Sequence, residues 1–524
     1  MKAQPLIISL VALVTALVTA LVPGTSHALD AQARDTQSSH SSPLTVVKGG
    51  SIIDGTGAPA FEGEVWIRGR LIEKVMRGGS KVMPSGARII DAQGRVVAPG
   101  FIDPHSHGDP LLTPAFENFL AQGVTTITLG QDGSSPVVES FPALFEQYEA
   151  LGLGVNVAMF VGHGSLRAAS SVGQNPAPSS AEIEEMATLL EAALDHTFGM
   201  SSGLEYNPGL WASEPELIRL ARVVGSRDRV IMSHLRSEDD GDLDAAIDEL
   251  ISQGEHAKVH IAHIKSVYGR DAARGQAIIA KLASARAAGV DITADFYPYI
   301  ASYTSVSLVF PVWAKTVPDF ERTKTERRDE LLDHLRRRVN ARNGPAAMLL
   351  ADEPYTGLTL EAVAEQLGKP FEEVLVDDLG PGGGSAAYFV MNKALQSALL
   401  KGDMVMVGSD GSPTGFHPRG HGTVARVIEQ FVMVDQAFSL EEAVKKMTSM
   451  PASVLGLSNR GSIAPGKVAD LVIFDPSKVR ETATFARPHQ LAEGFDWVLI
   501  DGEVARREGA SLPKRHGRVL RPTP

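Results

Sequence analysis

The sequence contains no cysteine and has no excess of positive charge. Its 524 residues include 49 Lys and Arg against 62 Asp and Glu, which gives a formal net charge of −13. Without cysteine, the chain can form no disulfide bond and has no thiolate to offer a metal ion. The acidic balance argues against nucleic acid or an anionic membrane as a partner. The chain also contains no P-loop and no dinucleotide-binding glycine motif.

One long apolar run lies at the N-terminus. Lys2 precedes a nearly uninterrupted apolar segment over residues 6–22, and small residues follow that segment. This pattern predicts a signal peptide over residues 1–28 and a flexible, Ser/Gln-rich linker over residues 29–43. Retention as a membrane anchor is the alternative, because the run approaches the length of a spanning helix. A cleaved signal predicts a periplasmic or secreted protein without stable membrane association.

The most informative motif is His105-Ser106-His107, which follows the apolar run Val96–Ile102. Side chains two residues apart on an extended segment point to the same side. Both imidazoles can therefore reach one metal ion, and imidazole suits zinc and related ions. Such a pair is weak evidence alone, because similar pairs occur on ordinary surface strands. Polar residues that follow later apolar runs strengthen the interpretation.

Seven further short apolar runs also end in polar or glycine-rich sequence. They are Thr125–Gly130, Val155–Val161, Phe198–Met200, Arg229–Ser233, Lys258–Ala262, Val290–Ala294 and Met404–Ser409. Most are separated by segments long enough for a helix, which predicts βαβ units and a parallel sheet. Eight such strands predict an α/β protein with a (β/α)8 barrel of the TIM type. In such barrels the catalytic groups lie at the carboxyl ends of the strands.

The order of the polar residues resembles the amidohydrolase superfamily of metal-dependent hydrolases. That order is His-x-His on the first strand, His on the fifth and sixth strands, and Asp on the eighth. Other segments resemble the N-acyl-D-amino-acid deacylase (D-aminoacylase) branch, and the similarity extends over roughly residues 44–509. These segments are Gly123–Thr126, Val161–Arg167, Ser201–Leu204, Ser233–Glu238, Ala262–Lys265, Tyr297–Tyr299, Gly408–Gly411 and His417–Arg419.

The resemblance implies a domain organisation. The barrel is expected over residues 100–457, and an insert over about residues 305–400 would cover the mouth of the active site. A solvated helical decoration is the alternative for the insert. The two ends of the chain, residues 44–99 and 458–510, are expected to join in a small β-sandwich. Residues 511–524 would form a tail.

One position departs from the pattern of that branch. The loop after the second strand usually reads Gly-Asn-Cys-Gly there, and its cysteine is a metal ligand. Here it reads Gly130-Gln131-Asp132-Gly133. A carboxylate can replace a thiolate at similar reach, so Asp132 is predicted as a substitute ligand. Two alternatives stay open: Asp132 caps a turn, or Glu205 on the fourth strand supplies the carboxylate.

The resemblance also implies zinc as the cofactor, with one tightly bound ion and a second, weakly filled site. The main ion is assigned to Asp132, His234 and His263. The adjoining site is assigned to His105, His107 and Asp410. Asp410 is also the predicted catalytic residue, as the general base that takes a proton from water and passes it to the leaving amine.

Further residues match motif positions that face the substrate. Predicted substrate-binding residues are Lys265, Tyr299, Tyr206 and Arg419, with the hydroxyl groups of Ser302 and Thr304 as additional candidates. His163 and Arg167 also match, although a hydrogen-bonded structural role is equally consistent with their position. His260, inside an apolar strand, is predicted to be a core histidine. His417 and His421 are left without a role.

Together these observations predict a metal-dependent hydrolase that cleaves the amide bond of N-acyl-D-amino acids or similar D-configured short peptides. The preference for D substrates rests on the resemblance alone. Another amidohydrolase reaction, on dipeptides, lactones or cyclic amides, is one alternative. A catalytically inactive binding protein is an alternative of a different class. The sequence does not determine the oligomeric state.

Overall fold

A computed structural model of the protein describes residues 43–80, 82–136 and 140–523. The predicted signal peptide and residues 29–42 of the predicted linker lie outside the described residues. Within the described part, no helix is long and apolar enough to cross a membrane.

The described chain contains both helices and strands, and these elements alternate through much of its central part, which confirms the predicted α/β class. In chain order, strands β1 to β21 span Leu44–Ile52, Phe61–Arg68, Leu71–Arg77, Arg88–Asp91, Val96–Pro99, Phe101–Asp103, Val124–Leu129, Asn156–Met159, Val161–Gly162, Gly199–Gly203, Val230–His234, Lys258–Ile261, Ile292–Phe296, Ser302–Ser305, Met348–Leu350, Ser385–Tyr388, Val405–Val407, Leu471–Phe474, Phe495–Ile500, Glu503–Arg507 and Ala510–Ser511. The α-helices span Glu117–Leu120, Phe141–Leu151, His163–Ala169, Ser180–Leu194, Glu214–Ser226, Leu243–Gly254, Asp271–Ala287, Val317–Glu326, Arg328–Ala341, Leu360–Leu367, Phe371–Val374, Lys393–Leu400, Arg419–Arg426, Leu440–Lys446 and Ser449–Val454. Short 3₁₀ segments span Gly209–Trp211, Val306–Val309, Val312–Ala314 and Pro345–Ala347, and π-helical segments span Leu375–Leu379 and Val427–Val434.

One nine-stranded sheet contains strands from both ends of the described chain. Its order is β21-β20-β19-β18-β5-β1-β2-β3, with β4 paired to β1. The antiparallel pair of β5 and β18 joins the N-terminal strands to the C-terminal ones. Buried apolar side chains, including Val47, Val65 and Leu471, form a core on this sheet. The sheet therefore unites the two segments that the sequence analysis assigned to one domain.

The strands that carry the polar motifs are parallel. Strands β6, β7 and β8 form one sheet, and β9 to β13 followed by β17 form another. Only Phe160 separates β8 from β9. At the opposite edges, the Asp410 amide donates to the His105 carbonyl at 2.8 Å and the His107 amide donates to the Gly411 carbonyl at 2.8 Å. The loops after β6 and β17 therefore lie side by side.

The first predicted strand is divided between two sheets. Residues 96–99 form β5 in the nine-stranded sheet, whereas residues 101–103 form β6 in a parallel sheet. The chain crosses at Gly100, where a Cβ atom would lie only 2.3 Å from the Thr125 side chain. The crossing therefore requires glycine, and the prediction of one continuous strand over residues 96–102 was wrong.

The region between β13 and β17 contains a folded insert with its own sheet and core. Strands β14, β15 and β16 pair in the order β14-β16-β15. Their core includes Phe310, Leu335, Val363 and Tyr388, all of which are buried. The helices Val317–Glu326 and Arg328–Ala341 of this insert are rich in charged residues, but one face of each packs into this core.

The last residues of the described chain pack along β8. The Val157 amide donates to the Arg518 carbonyl at 2.9 Å, and the Leu520 amide donates to the Val157 carbonyl at 2.8 Å. The segment predicted as a tail is therefore hydrogen-bonded to a parallel strand that leads to the site described next.

Candidate metal centre

The six predicted metal ligands converge at the carboxyl ends of five parallel strands. His105 and His107 follow β6, Asp132 follows β7, and His234 ends β11. His263 and Asp410 follow β12 and β17. Because the carboxyl ends of parallel strands meet at one edge, residues distant in sequence become neighbours. Ligand atoms of His105, Asp132, His263 and Asp410 all lie within 4.8 Å of one another.

Asp132 lies at the centre of this group. Its Oδ1 atom is 3.4 Å from the Nε2 atoms of both His105 and His263. The same oxygen is 3.9 Å from Nδ1 of His234. Its Oδ2 atom is 3.4 Å from Nε2 of His107. The two carboxylate oxygens therefore face both sets of histidines, which is the position a shared ligand requires.

Asp410 is the second carboxylate that contacts His105 and His107. Its Oδ1 atom lies 3.1 Å from Nε2 of His107 and 3.8 Å from Nε2 of His105. Its Oδ2 atom lies 2.7 Å from a guanidinium nitrogen of Arg419. Burial raises the pKa of Asp410, but Arg419 and His263 lower it by more, so its pKa lies well below the usual range. The carboxylate is therefore ionised at neutral pH.

The donor atoms fit a divalent metal ion better than they fit one another. Both ring nitrogens of His105 and Oδ1 of Asp132 are buried without a hydrogen-bond partner, which is costly for polar atoms. Tetrahedral zinc with ligands at about 2.0–2.2 Å spaces its ligand atoms roughly 3.3–3.6 Å apart. The 3.4 Å separations around Asp132 fall in that range. Imidazole and carboxylate donors together suit zinc and its neighbours.

Three of the predicted ligands have a left-handed backbone conformation. The φ angles of Asp132, His263 and Asp410 are 53°, 37° and 49°, in the left-handed region. Such a conformation costs a non-glycine residue about 1–3 kcal/mol and is concentrated at functional sites. Eight other described non-glycine residues share this conformation, so it reflects the sharp turns that place the three side chains at the strand ends.

A carboxylate contacts the far side of three histidine rings. Asp295 Oδ2 lies 3.5 Å from Nδ1 of His105, and Glu205 Oε2 lies 3.1 Å from Nε2 of His234. Glu238 Oε1 lies 3.1 Å from Nδ1 of His263. An outer carboxylate of this kind fixes the orientation of a ligating imidazole and increases its basicity. Glu205 thus supports His234 from outside, so the geometry favours Asp132 over Glu205 as the ligand.

Asp295 and Glu238 are not among the site residues predicted from the sequence. Asp295 lies at the end of the seventh apolar run, as the ligands do for other runs, so the same positional signal could have found it. Glu238 lies four residues after His234 within a motif that was recognised. Its contact with His263 depends on the pairing of neighbouring strands, which the spacing does not reveal.

Comparison with known proteins identifies the family. The sequence pattern of the Amidohydrolase family matches residues 181–506. The N-acyl-D-glutamate deacylase of Alcaligenes xylosoxydans xylosoxydans is 33% identical over 503 residues, covering 91% of this chain and 96% of that protein. This chain belongs to the amidohydrolase family. The similarity places it in the D-aminoacylase branch, which confirms the resemblance predicted from the sequence.

Two solved structures share the fold of this amidohydrolase. An N-acyl-D-glutamate deacylase from Bordetella bronchiseptica, complexed with zinc and a phosphonate mimic of the tetrahedral intermediate, has a TM-score of 0.77 and 30% identity. The match covers 92% of this chain and 100% of that chain. A D-aminoacylase with a binuclear metal centre, activated by one metal and attenuated by a second, has a TM-score of 0.78 and 30% identity. That match covers 91% of this chain and 99% of the other.

A cavity of about 270 Å³ opens beside the predicted metal ligands of the amidohydrolase. The cavity is lined by three of the predicted substrate-binding residues, which are Lys265, Tyr206 and Arg419. The additional candidates Ser302 and Thr304 also line it. Lys265 Nζ lies 2.7 Å from Nδ1 of His263 and also donates to Glu238. The Tyr206 ring lies 4.5 Å from the His234 ring, measured between centroids.

Tyr299 is the predicted substrate-binding residue that lies elsewhere. Its side chain is buried, does not line the cavity, and donates a hydrogen bond to Glu481 at 2.7 Å. Tyr297 and Tyr303, on the same segment, line the cavity instead. The segment turns after β13, so the tyrosine that reaches the cavity differs from the one chosen by motif. Tyr299 therefore does not face this cavity, and its contact with the substrate stays a prediction.

The remaining histidine predictions divide between structural and cavity positions. His163 and Arg167 both contact Glu216, at 2.7 Å each, in a buried network outside the 270 Å³ cavity. Their structural alternative is therefore favoured. His260 contacts Thr293 at 2.7 Å and Asp295 at 2.9 Å, as a hydrogen-bonded core residue would. His417 lines the cavity, whereas His421 packs against the ring of His489.

Proposed function

We propose that this amidohydrolase cleaves the amide bond of N-acyl-D-amino acids or of similar D-configured short peptides. The convergence of Asp132, four histidines and Asp410 beside a cavity that contains cationic residues carries the proposal. The relatives named as N-acyl-D-glutamate deacylase and D-aminoacylase support the amide bond and the D configuration. The N-terminal apolar run supports a periplasmic or secreted location.

We infer that the parallel strands close into a (β/α)8 barrel beside a β-sandwich. Support comes from the near continuity of β8 and β9 and from the hydrogen bonds that join the loops after β6 and β17. The active-site edge of such a barrel is where its ligands converge. The nine-stranded sheet, with its own core, supports the sandwich.

We propose zinc as the metal, with one ion held tightly by Asp132, His234 and His263. His105, His107 and Asp410 would hold a second ion more weakly. When bound, zinc would polarise the amide carbonyl and lower the pKa of a water molecule. Because Asp132 faces both sets of histidines, its carboxylate would be shared between the two positions.

The chain's own residues would move the proton and hold the substrate. Asp410 is ionised and can accept a proton from the attacking water, then deliver it to the leaving amine nitrogen. Burial and nearby Asp132 raise the pKa of Tyr206 well above its ordinary value, so its hydroxyl stays protonated and can donate to the amide oxygen. Lys265 and Arg419 would bind the free carboxylate of the substrate.

Purified mature protein supplied with zinc should release amine from N-acetyl-D-glutamate and much less from N-acetyl-L-glutamate. We expect the two values of kcat/KM to differ by at least about 100-fold, because groups placed for one enantiomer are unpaired in the other. Amine release measured on both enantiomers with one preparation tests this. Equal or L-selective release would contradict the D assignment. Zinc retention without amine release would favour dipeptides, lactones or cyclic amides as substrates. If the protein neither retained zinc nor released amine, the inactive binding protein would be favoured.

A further inference from the structure

A second, larger cavity meets the first one at the metal ligands. The first cavity, of about 270 Å³, is called the polar cavity below. The second cavity has a volume of about 810 Å³ and shares His107, Asp132 and Tyr206 with the polar cavity. Since the shared residues surround the proposed reaction centre, the two parts of a substrate would extend from the scissile bond into different cavities.

Charge determines which part of the substrate enters which cavity. Lys265, Arg342 and Arg419 line the polar cavity, where they pair with Glu238, Asp239 and Asp410 respectively. Among the residues that the structure describes, no Lys or Arg lines the second cavity, whereas Asp109 and Asp132 do. A carboxylate placed in the second cavity would lose water without gaining a cation, which is unfavourable. The amino-acid part, with its free carboxylate, therefore fits the polar cavity, and the acyl part is left for the second.

The wall of the second cavity combines uncharged polar side chains and two aspartates with a group of large apolar side chains. The apolar side chains include Leu111, Leu129, Leu144, Tyr148 and Met159. Leu111 and the adjacent Leu112 are exposed by 42% and 79%, although large apolar side chains are usually buried. Leu111 lines the cavity together with Leu129, Leu144 and Met159, so these side chains offer an apolar chain a surface to bury. An acetyl group would contact only a small part of this wall.

We propose that the second cavity binds a medium-length or long apolar acyl chain, such as octanoyl, attached to the D-amino acid. This inference rests on the proposed function and specifies its substrate class as N-acyl-D-amino acids with fatty acyl groups. The acyl carbonyl lies at the metal ligands, and the alkyl chain lies along the leucines. Hydrolysis adds water across the amide, which gives a fatty acid and a free D-amino acid.

Direct binding of the two acid products tests the cavity without turnover. Octanoate and acetate have the same carboxylate and differ only in the alkyl chain. Burying one methylene group strengthens binding about fourfold. We therefore expect octanoate to bind the zinc-loaded protein at least about tenfold more tightly than acetate, as measured by calorimetry. Equal affinities for the two acids would overturn the proposal.

Two neighbouring alanines provide a matched pair of variants. Both belong to the helix His163–Ala169 and are exposed, but only Ala168 lines the second cavity. Ala168→Trp would place an indole ring in the cavity and should remove most of the difference in affinity between octanoate and acetate, and Ala168→Leu should remove part of it. Ala169→Trp should leave the difference as in the wild type. An unchanged difference in Ala168→Trp would overturn the assignment of the cavity.

Amine release separates failure of this inference from failure of the proposed function. N-octanoyl-D-glutamate should show a kcat/KM at least about tenfold above that of N-acetyl-D-glutamate, and Ala168→Trp should reduce this ratio towards one. D-selective release without any effect of chain length would overturn this inference alone. Tight, Ala168-dependent binding of octanoate without release from either amide would support the apolar cavity and contradict the hydrolase.

Discussion

Asp410→Asn is expected to lower kcat by about 10²–10⁴-fold. The amide has nearly the same shape as the carboxylate and can still accept a hydrogen bond from Arg419, which lies 2.7 Å from Asp410. It cannot accept a proton from water at neutral pH, so the proposed proton transfer would lose its acceptor. The measurement is steady-state amine release from N-acetyl-D-glutamate, with metal content determined on the same samples.

Asp403→Asn is the matched control for that variant. Asp403 precedes β17 and is exposed, whereas Asp410 follows the carboxyl end of the same strand. The same chemical change at Asp403 should leave kcat as in the wild type. If Asp410→Asn retained kcat within about tenfold of the wild type, with normal metal content, the role of Asp410 as general base would be excluded.

Asp132→Asn is expected to weaken zinc binding by at least about 100-fold. Loss of a residue that merely supports a ligand already costs about 10–100-fold, and Asp132 contacts His105, His107 and His263 directly. Asparagine tolerates a left-handed backbone conformation, so the φ of 53° is preserved while the negative charge is removed. Zinc retained after dialysis, measured by elemental analysis, reports the effect.

Asp132→Cys provides the complementary variant. A thiolate is a strong zinc ligand, so this change should keep zinc bound where Asn does not. If Asp132→Asn loses zinc and Asp132→Cys retains it, zinc binding requires a negatively charged donor atom at this position, and a side chain of similar shape is not sufficient. Metal content and rate in Asp132→Asn equal to those of the wild type would contradict the assignment and favour Glu205 as the carboxylate ligand.

The strand pattern could be predicted because buried parallel strands are short apolar runs bounded by turns. The eight runs correspond to strands in the structure, but their boundaries do not all agree. The sequence from Val96 to Ile102 contains Pro99-Gly100, a dipeptide typical of turns, so the break at Gly100 has a signal in the sequence, but the change of sheet does not. It depends on the approach of Thr125 to Gly100, which only the folded chain determines.

The convergence of the predicted ligands could be expected from the sequence, because each lies at or just after the end of a strand, where topology brings side chains together. Residues whose roles depend on loop direction could not be predicted in the same way. Tyr297 and Tyr299 lie two residues apart, and only the turn after β13 decides which one reaches the cavity. Arg342 belongs to the insert, and no motif near it indicates that it borders the site.

Zinc titration of metal-free protein tests the central claim most directly. Chelator-treated protein would receive increasing zinc while amine release from N-acetyl-D-glutamate and bound metal are both measured. We expect no amine release from the metal-free protein. The rate of amine release should then rise as the first equivalent of zinc binds, about one ion per chain. Full release from metal-free protein, or failure to retain any zinc after supplementation, would contradict the central claim.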